Sequence, residues 1–450
     1  MRIAPVRRLR GRLDLPGDKS LSHRHILRAA LVEGRSGLLN LPAGLDVQAT
    51  LAAVEALGVA VSRDGRRIWL DSPGVEGWQE PRAALDCGNS GTTARLLLGL
   101  LAGSGLEATL VGDASLSRRP MARVAEPLRR MGARLEMDGD GLPLKVRAAR
   151  LEGIRFELPV PSAQLKSAVL LAGLLASGET RVREAVPSRD HTERLLGLGS
   201  EVVDFQTGGV VREWISSARD LPRQPWADVV LPADPSTAAF YVVACLLMEE
   251  GELELPNLLV NPHRRDYLDE LVEWGGLVEV REIPGEGFCG PIHCGAEGCN
   301  PGEQCPIGEP VADVVVRAGL PLSARPLDGR RIPRLLDEIP ALAVAAMASD
   351  EPFEVVEAAE LRRKESDRIA GLVRLLRAFG GEVEERPDGF RLTPPETIRA
   401  GRFDADGDHR LAMAATVLAL AADGESEILG LESAAVSHPA FLEDLRRLME

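Results

Sequence analysis

The sequence predicts an α/β protein of two similar domains. Each is a closed domain built from three copies of a repeated unit. The first observation is a polar turn followed by an apolar, Ala- and Leu-rich helix, which occurs six times. The second is an amphipathic helix that ends at glycine and runs into alternating strands, as in residues 51–70. The third is spacing, because successive apolar helices end 69 to 75 residues apart, at Gly34, Gly103, Gly178 and Gly251. Such units are longer than solenoid repeats, so closed domains are favoured.

The two ends of the chain are predicted to share a domain. The last repeat begins with FLEDLRRLM, but the chain stops at Glu450 with no strands after it. The strands expected within Met1–Asp14 have no helix before them, so we infer that they complete this sixth repeat. Domain I is therefore predicted to comprise 1–14 and 233–450, and domain II 15–232. The six apolar segments are 16–34, 88–103, 161–178, 234–251, 337–351 and 406–424.

Composition excludes some partners. The 450 residues are 45% hydrophobic and 27% charged, as expected of a soluble enzyme. A net charge of −15 argues against nucleic acid as a partner, but it is compatible with a small anion in a local basic cleft. No apolar run is long enough to span a membrane, and the basic N-terminus lacks an apolar signal region. We therefore expect no membrane partner and a cytoplasmic location.

The stretch Leu15–Ala30, LPGDKSLSHRHILRAA, is the most informative one. It places Lys19 and Ser20 at a predicted helix start and Arg24 one turn later on the same face. Exposed N–H groups and the helix dipole favour anions at such a start, so a phosphate or carboxylate site is indicated. A simple N-terminal cap on a surface helix is the alternative. The spacing excludes a Walker A loop, because an aspartate separates the glycine from the lysine.

Other polar helix starts repeat this pattern. The segment GNSGTTAR begins a helix with Asn89 and Gly91 at its start and Arg95 on its first turn. A guanidinium can grip a carboxylate or phosphate with two hydrogen bonds, which suits Arg119 to an anionic ligand. Asp46 fits two interpretations equally well, a helix N-cap and an active-site residue.

Lys364 and Arg368 form a further charged pair. They are four residues apart, and we place them on one face of a helix. Like charges at this spacing cost stability unless an anion lies between them, so the pair hints at function.

A cysteine-rich insertion, about 283–310, interrupts the fourth repeat. It carries four of the six cysteines. Four thiols in a short loop could bind zinc, but no Cys-x2-Cys pair is present, so we favour reduced or redox-labile thiols and expect no metal. Cys87 and Cys245 are predicted to be ordinary core thiols. The speculative metal ligands are Cys289, Cys294, Cys299 and Cys305.

Several motifs together closely resemble one family. PGDKSLSHR, GNSGTTAR, RRPM, RKESDRIAGLVRLLRAFGGE and DGDHRLAMA are similar to segments of the 5-enolpyruvylshikimate-3-phosphate (EPSP) synthases of the shikimate pathway. The resemblance runs essentially end to end. It implies two domains of three βαβαββ units each, of the inverse α/β barrel type, with the active site in the cleft between them. It also implies a cofactor-free enzyme, expected to be a monomer and a glyphosate target.

The resemblance implies roles for individual residues. Lys19, Asp337 and Glu365 match catalytic positions. Ala163 stands where many members carry a second serine, and the C-terminal lysine of many members is absent. The shikimate 3-phosphate ligands are expected to be Lys19, Ser20, Arg24, Ser162, Ala163, Gln164, Ser188, Asp337 and Lys364. The phosphoenolpyruvate ligands are expected to be Lys19, Asn89, Gly91, Arg119, Gln164, Arg368 and Arg410.

The implied reaction joins the 5-hydroxyl of shikimate 3-phosphate to C2 of phosphoenolpyruvate and releases phosphate. It needs a base at the hydroxyl and an acid at C3. Asp337 suits the base, Glu365 the C3 proton donor and acceptor, and Lys19 the phosphate-side acid, although the division among them stays open.

Three alternatives remain. They are an enolpyruvyl transferase acting on a UDP-amino sugar, a non-catalytic anion-binding scaffold and a metal-regulated protein. The first normally uses a loop cysteine, and residues 112–120 contain none.

Overall fold

A computed structural model describes residues 1–204, 210–283 and 308–449, which form two compact units. The terminal unit comprises Met1–Pro16 with 232–283 and 310–449. The central unit comprises Gly17–Leu231, apart from the gap at 205–209, together with 308–309.

The terminal unit contributes the first two strands, and the central unit follows. The first strands are β1 (Arg2–Ile3) and β2 (Arg8–Arg12). The helices of the central unit are α1 (Lys19–Leu31), α2 (Leu45–Ala56), α3 (Gly91–Gly103), α4 (Ala122–Arg130), α5 (Ala163–Gly173) and α6 (His191–Leu196). Its strands are β3 (Glu33–Leu39), β4 (Ala60–Asp64), β5 (Arg67–Pro73), β6 (Leu85–Asp86), β7 (Ala108–Val111), β8 (Arg134–Met137), β9 (Leu144–Arg147), β10 (Leu151–Glu152), β11 (Arg155–Glu157), β12 (Ala176–Ser177), β13 (Thr180–Glu184), β14 (Ser200–Asp204), β15 (Val210–Ser216) and β16 (Val229–Val230).

The rest of the terminal unit alternates helices and strands in the same way. Its helices are α7 (Pro235–Leu246), α8 (Asp266–Glu273), α9 (Ile332–Leu335), α10 (Ile339–Ala346), α11 (Arg368–Ala378), α12 (His409–Ala421) and α13 (Phe441–Met449). Its strands are β17 (Glu250–Leu259), β18 (Leu277–Glu282), β19 (Val311–Arg317), β20 (Phe353–Val355), β21 (Glu382–Arg386), β22 (Gly389–Thr393), β23 (Arg402–Asp404) and β24 (Ser426–Leu429).

Three sheets of the central unit share one topology. Their strand orders are β6-β7-β9-β8, β11-β13-β15-β14 and β16-β3-β5-β4. The first two strands of each sheet are parallel, and the last two form an antiparallel hairpin. The path β6-α3-β7-α4-β8-β9 is therefore one βαβαββ unit, and β11 to β15 repeats it. The sheet nearest the start of the unit takes its parallel strand, β16, from the end of the unit.

The terminal unit borrows strands from the start of the chain. Strand β2 pairs in parallel with β17 and completes the sheet β18-β19-β17-β2. Strand β1 pairs antiparallel with β24, so that Arg2 lies opposite Glu427 in the sheet β1-β24-β23. No sheet formed by the described strands closes on itself.

Apolar helices form the core of each unit. Helix α3 is buried along almost its whole length because it is apolar on all sides. It packs closely on α5, since a Cβ on Gly99 would lie 2.3 Å from the carbonyl oxygen of Ala168. In the terminal unit, α7, α10 and α12 are buried in the same manner. The bodies of these helices are buried, and the first turns of α7 and α12 are buried with them. Within the described residues, no helix is long and apolar enough to cross a membrane.

Candidate active site

The start of α1 carries the first predicted ligands. Lys19 is the first residue of the helix, and Asp18 caps it by accepting a hydrogen bond from the Leu21 amide at 2.7 Å. The Lys19 Nζ donates to Asp46 Oδ2 at 2.9 Å. The N-cap of α2 is Gly44, so the interpretation of Asp46 as an N-cap is wrong. Asp46 lies on the first turn of α2 and holds Lys19 in place.

Arg24 is buried below this helix start and is held by three hydrogen bonds. Its Nε donates to Thr192 Oγ1 at 2.8 Å, and its Nη2 donates to Ser167 Oγ at 2.9 Å. Its Nη1 donates to the Ser20 carbonyl at 3.0 Å, as the predicted one-turn spacing requires. Burial lowers the pKa of Arg24 to about 10, although Glu193 opposes the shift. The guanidinium therefore stays charged at neutral pH.

The start of α3 carries the next group. Asn89 Oδ1 accepts from Arg119 Nη2 at 2.5 Å, while its Nδ2 donates to Asp113 Oδ2 at 2.6 Å. A Cβ on Gly91 would lie 2.7 Å from Arg95 Nη1 and 3.5 Å from Arg119 Nη1. Two guanidinium groups thus converge on a helix start that has no side chain at Gly91.

Helix α5 joins the same surface. Ser162 is its N-cap, with a hydrogen bond of 3.4 Å from the Leu165 amide, and Ala163 is its first residue. Gln164 bridges to α3, because its Oε1 accepts from Arg95 Nη1 at 2.6 Å and its Nε2 donates to Thr92 Oγ1 at 2.9 Å.

Ser188 precedes α6 and is oriented by a buried carboxylate. Its Oγ donates to Glu184 Oε2 at 2.8 Å, and its amide donates to the same oxygen at 3.0 Å. Glu184 also accepts from the buried Lys166 at 2.7 Å. His191 Nδ1 lies 2.7 Å from Glu309 Oε1.

A second cluster lies in the terminal unit around Asp337. Its Oδ1 lies 3.5 Å from Lys364 Nζ, 3.5 Å from Arg368 Nη1 and 3.7 Å from Arg410 Nε. Arg410 Nη1 also donates to the Asp337 carbonyl at 2.9 Å. Three cations therefore converge on one carboxylate, which favours its ionised form. Glu365 Oε2 accepts from Arg368 Nη2 at 2.5 Å.

Arg368 is the buried centre of this cluster. Its side chain is 1% exposed, and its Nε donates to Asp408 Oδ2 at 2.9 Å. Burial alone would lower the pKa of Arg368, but Glu365, Asp408 and Asp337 outweigh it and raise that pKa. Conversely, burial alone would raise the pKa of Asp408, but Arg368 outweighs it and lowers that pKa. Asp408 also caps α12 by accepting from the Arg410 amide at 2.9 Å.

One sequence prediction in this cluster is wrong. Helix α11 begins at Arg368, and Lys364 lies before it in extended backbone. The two cations are therefore not on one helical face, and the anion near both of them is the carboxylate of Asp337.

Other predictions concern cysteines and caps. Asp234 is the N-cap of α7, where its side chain accepts hydrogen bonds from the amides of Ser236 and Thr237. Cys87 and Cys245 are buried free thiols, and burial raises the pKa of each to about 12. Cys289, Cys294, Cys299 and Cys305 lie outside the described residues.

Several supporting residues were not identified from the sequence. Asp408 could have been found, because an aspartate just before a helix is a familiar cap. Glu184, Lys166, Ser167 and Thr192 gave no such signal, since their roles depend on long-range packing.

The fold is that of an enolpyruvyl transferase. The EPSP synthase of Acinetobacter baumannii superposes with a TM-score of 0.81 and 32% identity, over 99% of this chain and 98% of that chain. The enolpyruvyl transferase NikO of Streptomyces tendae superposes with a TM-score of 0.71 and 19% identity, over 99% of this chain and 96% of that chain. The second likeness shows the fold alone.

Sequence comparisons define the family within this class. The family model described as EPSP synthase (3-phosphoshikimate 1-carboxyvinyltransferase) matches residues 3–445. A 3-phosphoshikimate 1-carboxyvinyltransferase of Gloeobacter violaceus is 44% identical over 454 residues, covering 100% of this chain and 98% of the relative. One of Desulfitobacterium hafniense, strain DSM 10664 / DCB-2, is 42% identical over 453 residues with the same coverage. The chain belongs to the EPSP synthase family. This membership confirms the predicted family, α/β fold class and enzymatic activity.

Proposed function

We propose that the two clusters act on one pair of substrates, shikimate 3-phosphate and phosphoenolpyruvate. The enolpyruvyl group passes to the 5-hydroxyl of shikimate 3-phosphate, and inorganic phosphate leaves. The observation that carries the proposal is Asp337, a carboxylate contacted by Lys364, Arg368 and Arg410. A base surrounded by cations suits a reaction between two anions, because the cations offset substrate charge close to the proton acceptor.

Shikimate 3-phosphate is assigned mainly to the central unit. Lys19, Ser20 and Arg24 offer charge and a hydroxyl at the start of α1, where the helix dipole also favours a phosphate. The remaining expected ligands are Ser162, Ala163, Gln164 and Ser188 of the central unit and Asp337 and Lys364 of the terminal unit. Ala163 can contribute only its backbone.

Phosphoenolpyruvate is assigned to arginines from both units. Arg119, Arg368 and Arg410 can each form paired hydrogen bonds with a carboxylate or phosphate. Asn89 orients Arg119, and the absence of a side chain at Gly91 leaves room beside it. Lys19 and Gln164 complete the expected set.

The proton transfers require one base and two acid–base groups. Asp337 removes the proton of the 5-hydroxyl as its oxygen bonds to C2, and Glu365 protonates C3. The resulting tetrahedral ketal then returns a C3 proton to Glu365 while the C2–O bond to phosphate breaks. Lys19 stabilises the departing phosphate or protonates it.

Phosphate release tests this assignment. We expect release with phosphoenolpyruvate and shikimate 3-phosphate, and none with UDP-N-acetylglucosamine in its place. Asp337→Ala and Glu365→Gln should each abolish it. Release with the nucleotide sugar, or full activity in both variants, would overturn the proposal.

We further propose a monomeric, cytoplasmic, cofactor-free enzyme whose four insertion cysteines are reduced or redox-labile thiols that bind no metal. Sedimentation of the purified protein tests the monomer. Metal analysis after purification without chelators tests whether the four cysteines bind a metal ion, and one equivalent of zinc would contradict this interpretation. Deletion of 285–308 should leave transferase activity intact, whereas loss of activity would favour a functional role for the insertion.

A further inference from the structure

We propose that Thr50 is a positioning residue that couples helices α1 and α3 through a chain of buried side chains. The inference rests on the proposed function, in which α1 binds shikimate 3-phosphate and the start of α3 binds phosphoenolpyruvate. It concerns four side chains, Thr50 among them, that have no direct role in the proposed reaction.

The chain crosses three helices. His23 Nδ1 of α1 lies 2.6 Å from Thr50 Oγ1 of α2. Thr50 Oγ1 lies 2.7 Å from Thr93 Oγ1 of α3, which in turn donates to Ser90 Oγ at 2.7 Å. The four residues are at most 1% exposed. Water therefore cannot replace any of these hydrogen bonds without opening the core.

The hydrogen bonds run in one direction. Thr93 Oγ1 has two acceptors, the Ser90 hydroxyl and the Asp46 carbonyl at 3.3 Å, and it has only one proton to donate. Donation to either acceptor leaves Thr93 to accept from Thr50 and Thr50 to accept from His23. The opposite order is disfavoured, because it would place a proton on the buried His23 Nε2, which has no hydrogen-bond partner among the described residues. The order that begins at His23 needs a neutral imidazole protonated on Nδ1. Burial lowers the pKa of His23 to about 3, so the ring is neutral at physiological pH.

Both ends of the chain adjoin proposed ligands. His23 lies one helical turn after Lys19 on α1. Ser90 is the N-cap of α3 and stands between Asn89 and Gly91. Asp46, which holds Lys19, also supplies the carbonyl near Thr93. The chain therefore fixes the start of α3 relative to Lys19.

The two helices depend on the chain to different degrees. Arg24 anchors α1 independently through Thr192 and Ser167. Helix α3 is tied to α5 through Gln164, but the side chain of its N-cap Ser90, next to the proposed ligands Asn89 and Gly91, is linked to other helices through Thr93 and Thr50. Breaking the chain should therefore disturb phosphoenolpyruvate binding more than shikimate 3-phosphate binding.

Thr50→Val keeps the side-chain shape and removes the hydroxyl. We expect the KM for phosphoenolpyruvate to rise about tenfold, as for two buried polar groups left without partners, and the KM for shikimate 3-phosphate to change less than about twofold. Thr50→Ser restores the hydroxyl and should return the KM for phosphoenolpyruvate to near the wild-type value. Thr93→Val removes the same hydrogen bond between Thr50 and Thr93 and replaces Thr50→Val in this test if that variant does not fold.

Thr416→Val is the matched control. Thr416 is a buried helical threonine whose hydroxyl donates to the Ala412 carbonyl of its own helix at 2.8 Å. Its loss should lower the melting temperature without changing either KM. A Thr50→Val enzyme with a wild-type KM for phosphoenolpyruvate, or a Thr50→Ser enzyme no better than Thr50→Val, would overturn the inference.

Failure of the proposed function is distinguishable. Lys19→Ala and Arg119→Ala test the two helix starts directly. If neither changes a KM, the assigned binding roles are wrong. If Lys19→Ala and Arg119→Ala each raise a KM and Thr50→Val does not, only the positioning role of Thr50 is wrong.

Discussion

The two charged clusters hold their cations in different ways. In the central unit, Arg24 donates to hydroxyls and a carbonyl, and Arg119 donates to the amide of Asn89. In the terminal unit, Arg368 and Arg410 instead face carboxylates, above all Asp337. Neutral partners orient a guanidinium without offsetting its charge, so these two arginines of the central cluster are prepared to attract an anion, whereas Lys19 there is paired with Asp46. The terminal cluster is prepared to hold a base in its ionised form.

The largest expected effect comes from neutralising the base of the terminal cluster. Asp337→Asn keeps the size of the side chain but leaves Lys364, Arg368 and Arg410 without their shared carboxylate. We expect kcat, measured by phosphate release, to fall about 10³-fold, as for loss of a general base. The control is Asp350→Asn, an exposed aspartate that accepts from Ser323 at 2.8 Å. A loss below about tenfold would show that the two clusters do not differ in this way.

The next effect separates stability from catalysis. Asp408 is fully buried against Arg368, so Asp408→Asn should destabilise the protein by about 3–5 kcal/mol in denaturant unfolding at pH 7. The pKa of Asp408 is lowered in the folded state, so its stabilisation is present above the unfolded pKa of 3.8 and is lost as the pH falls through the lower folded value. The difference between wild type and variant should therefore shrink below pH 4. A difference independent of pH down to 2 would contradict the role of the charge.

A smaller effect tests orientation by a neutral partner. Arg119→Lys keeps the charge but loses the planar fork held by Asn89. We expect the KM for phosphoenolpyruvate to rise about tenfold, with kcat changed less. Arg118→Lys is the matched control, because Arg118 is the exposed neighbour. Equal effects of the two changes would mean that charge alone matters in the central cluster.

The smallest effect concerns space beside the arginines. Glyphosate should inhibit the wild-type enzyme in competition with phosphoenolpyruvate. In Gly91→Ala the added methyl meets the flexible end of Arg95 at 2.7 Å, so the KM for phosphoenolpyruvate should rise only about threefold, while inhibition weakens. Gly199→Ala is the control, because a Cβ there meets nothing within 4 Å. It should change neither the KM for phosphoenolpyruvate nor the inhibition by glyphosate. Activity untouched by micromolar glyphosate would remove the prediction.

Local sequence signals predicted the helix starts well. Lys19 begins α1 and Gly91 begins α3, as expected from the polar turns before them. Helix periodicity failed at Lys364, because the chain there is extended and α11 begins only at Arg368. Lys364 and Arg368 are four residues apart, but the helical backbone assumed between them is absent.

Partners distant in sequence could not be predicted. Arg24 donates to Ser167 and Thr192, which lie 143 and 168 residues away. Nothing in the local pattern of either segment indicates the other, since their proximity follows from the packing of whole repeats. The site residues predicted from motifs were therefore visible, while most of the residues that orient them were not.

The pairing of β1 with β24 has a consequence for synthesis on the ribosome. Arg2 lies opposite Glu427, so the first strand has no partner until almost the whole chain has been made. At typical elongation rates that delay is about 20–90 s. The central unit contains both strands of its own closing pair, β3 and β16, and so can complete its sheets much earlier. The central unit should therefore complete its sheets before the terminal unit, in which β1 cannot pair until β24 has been synthesised.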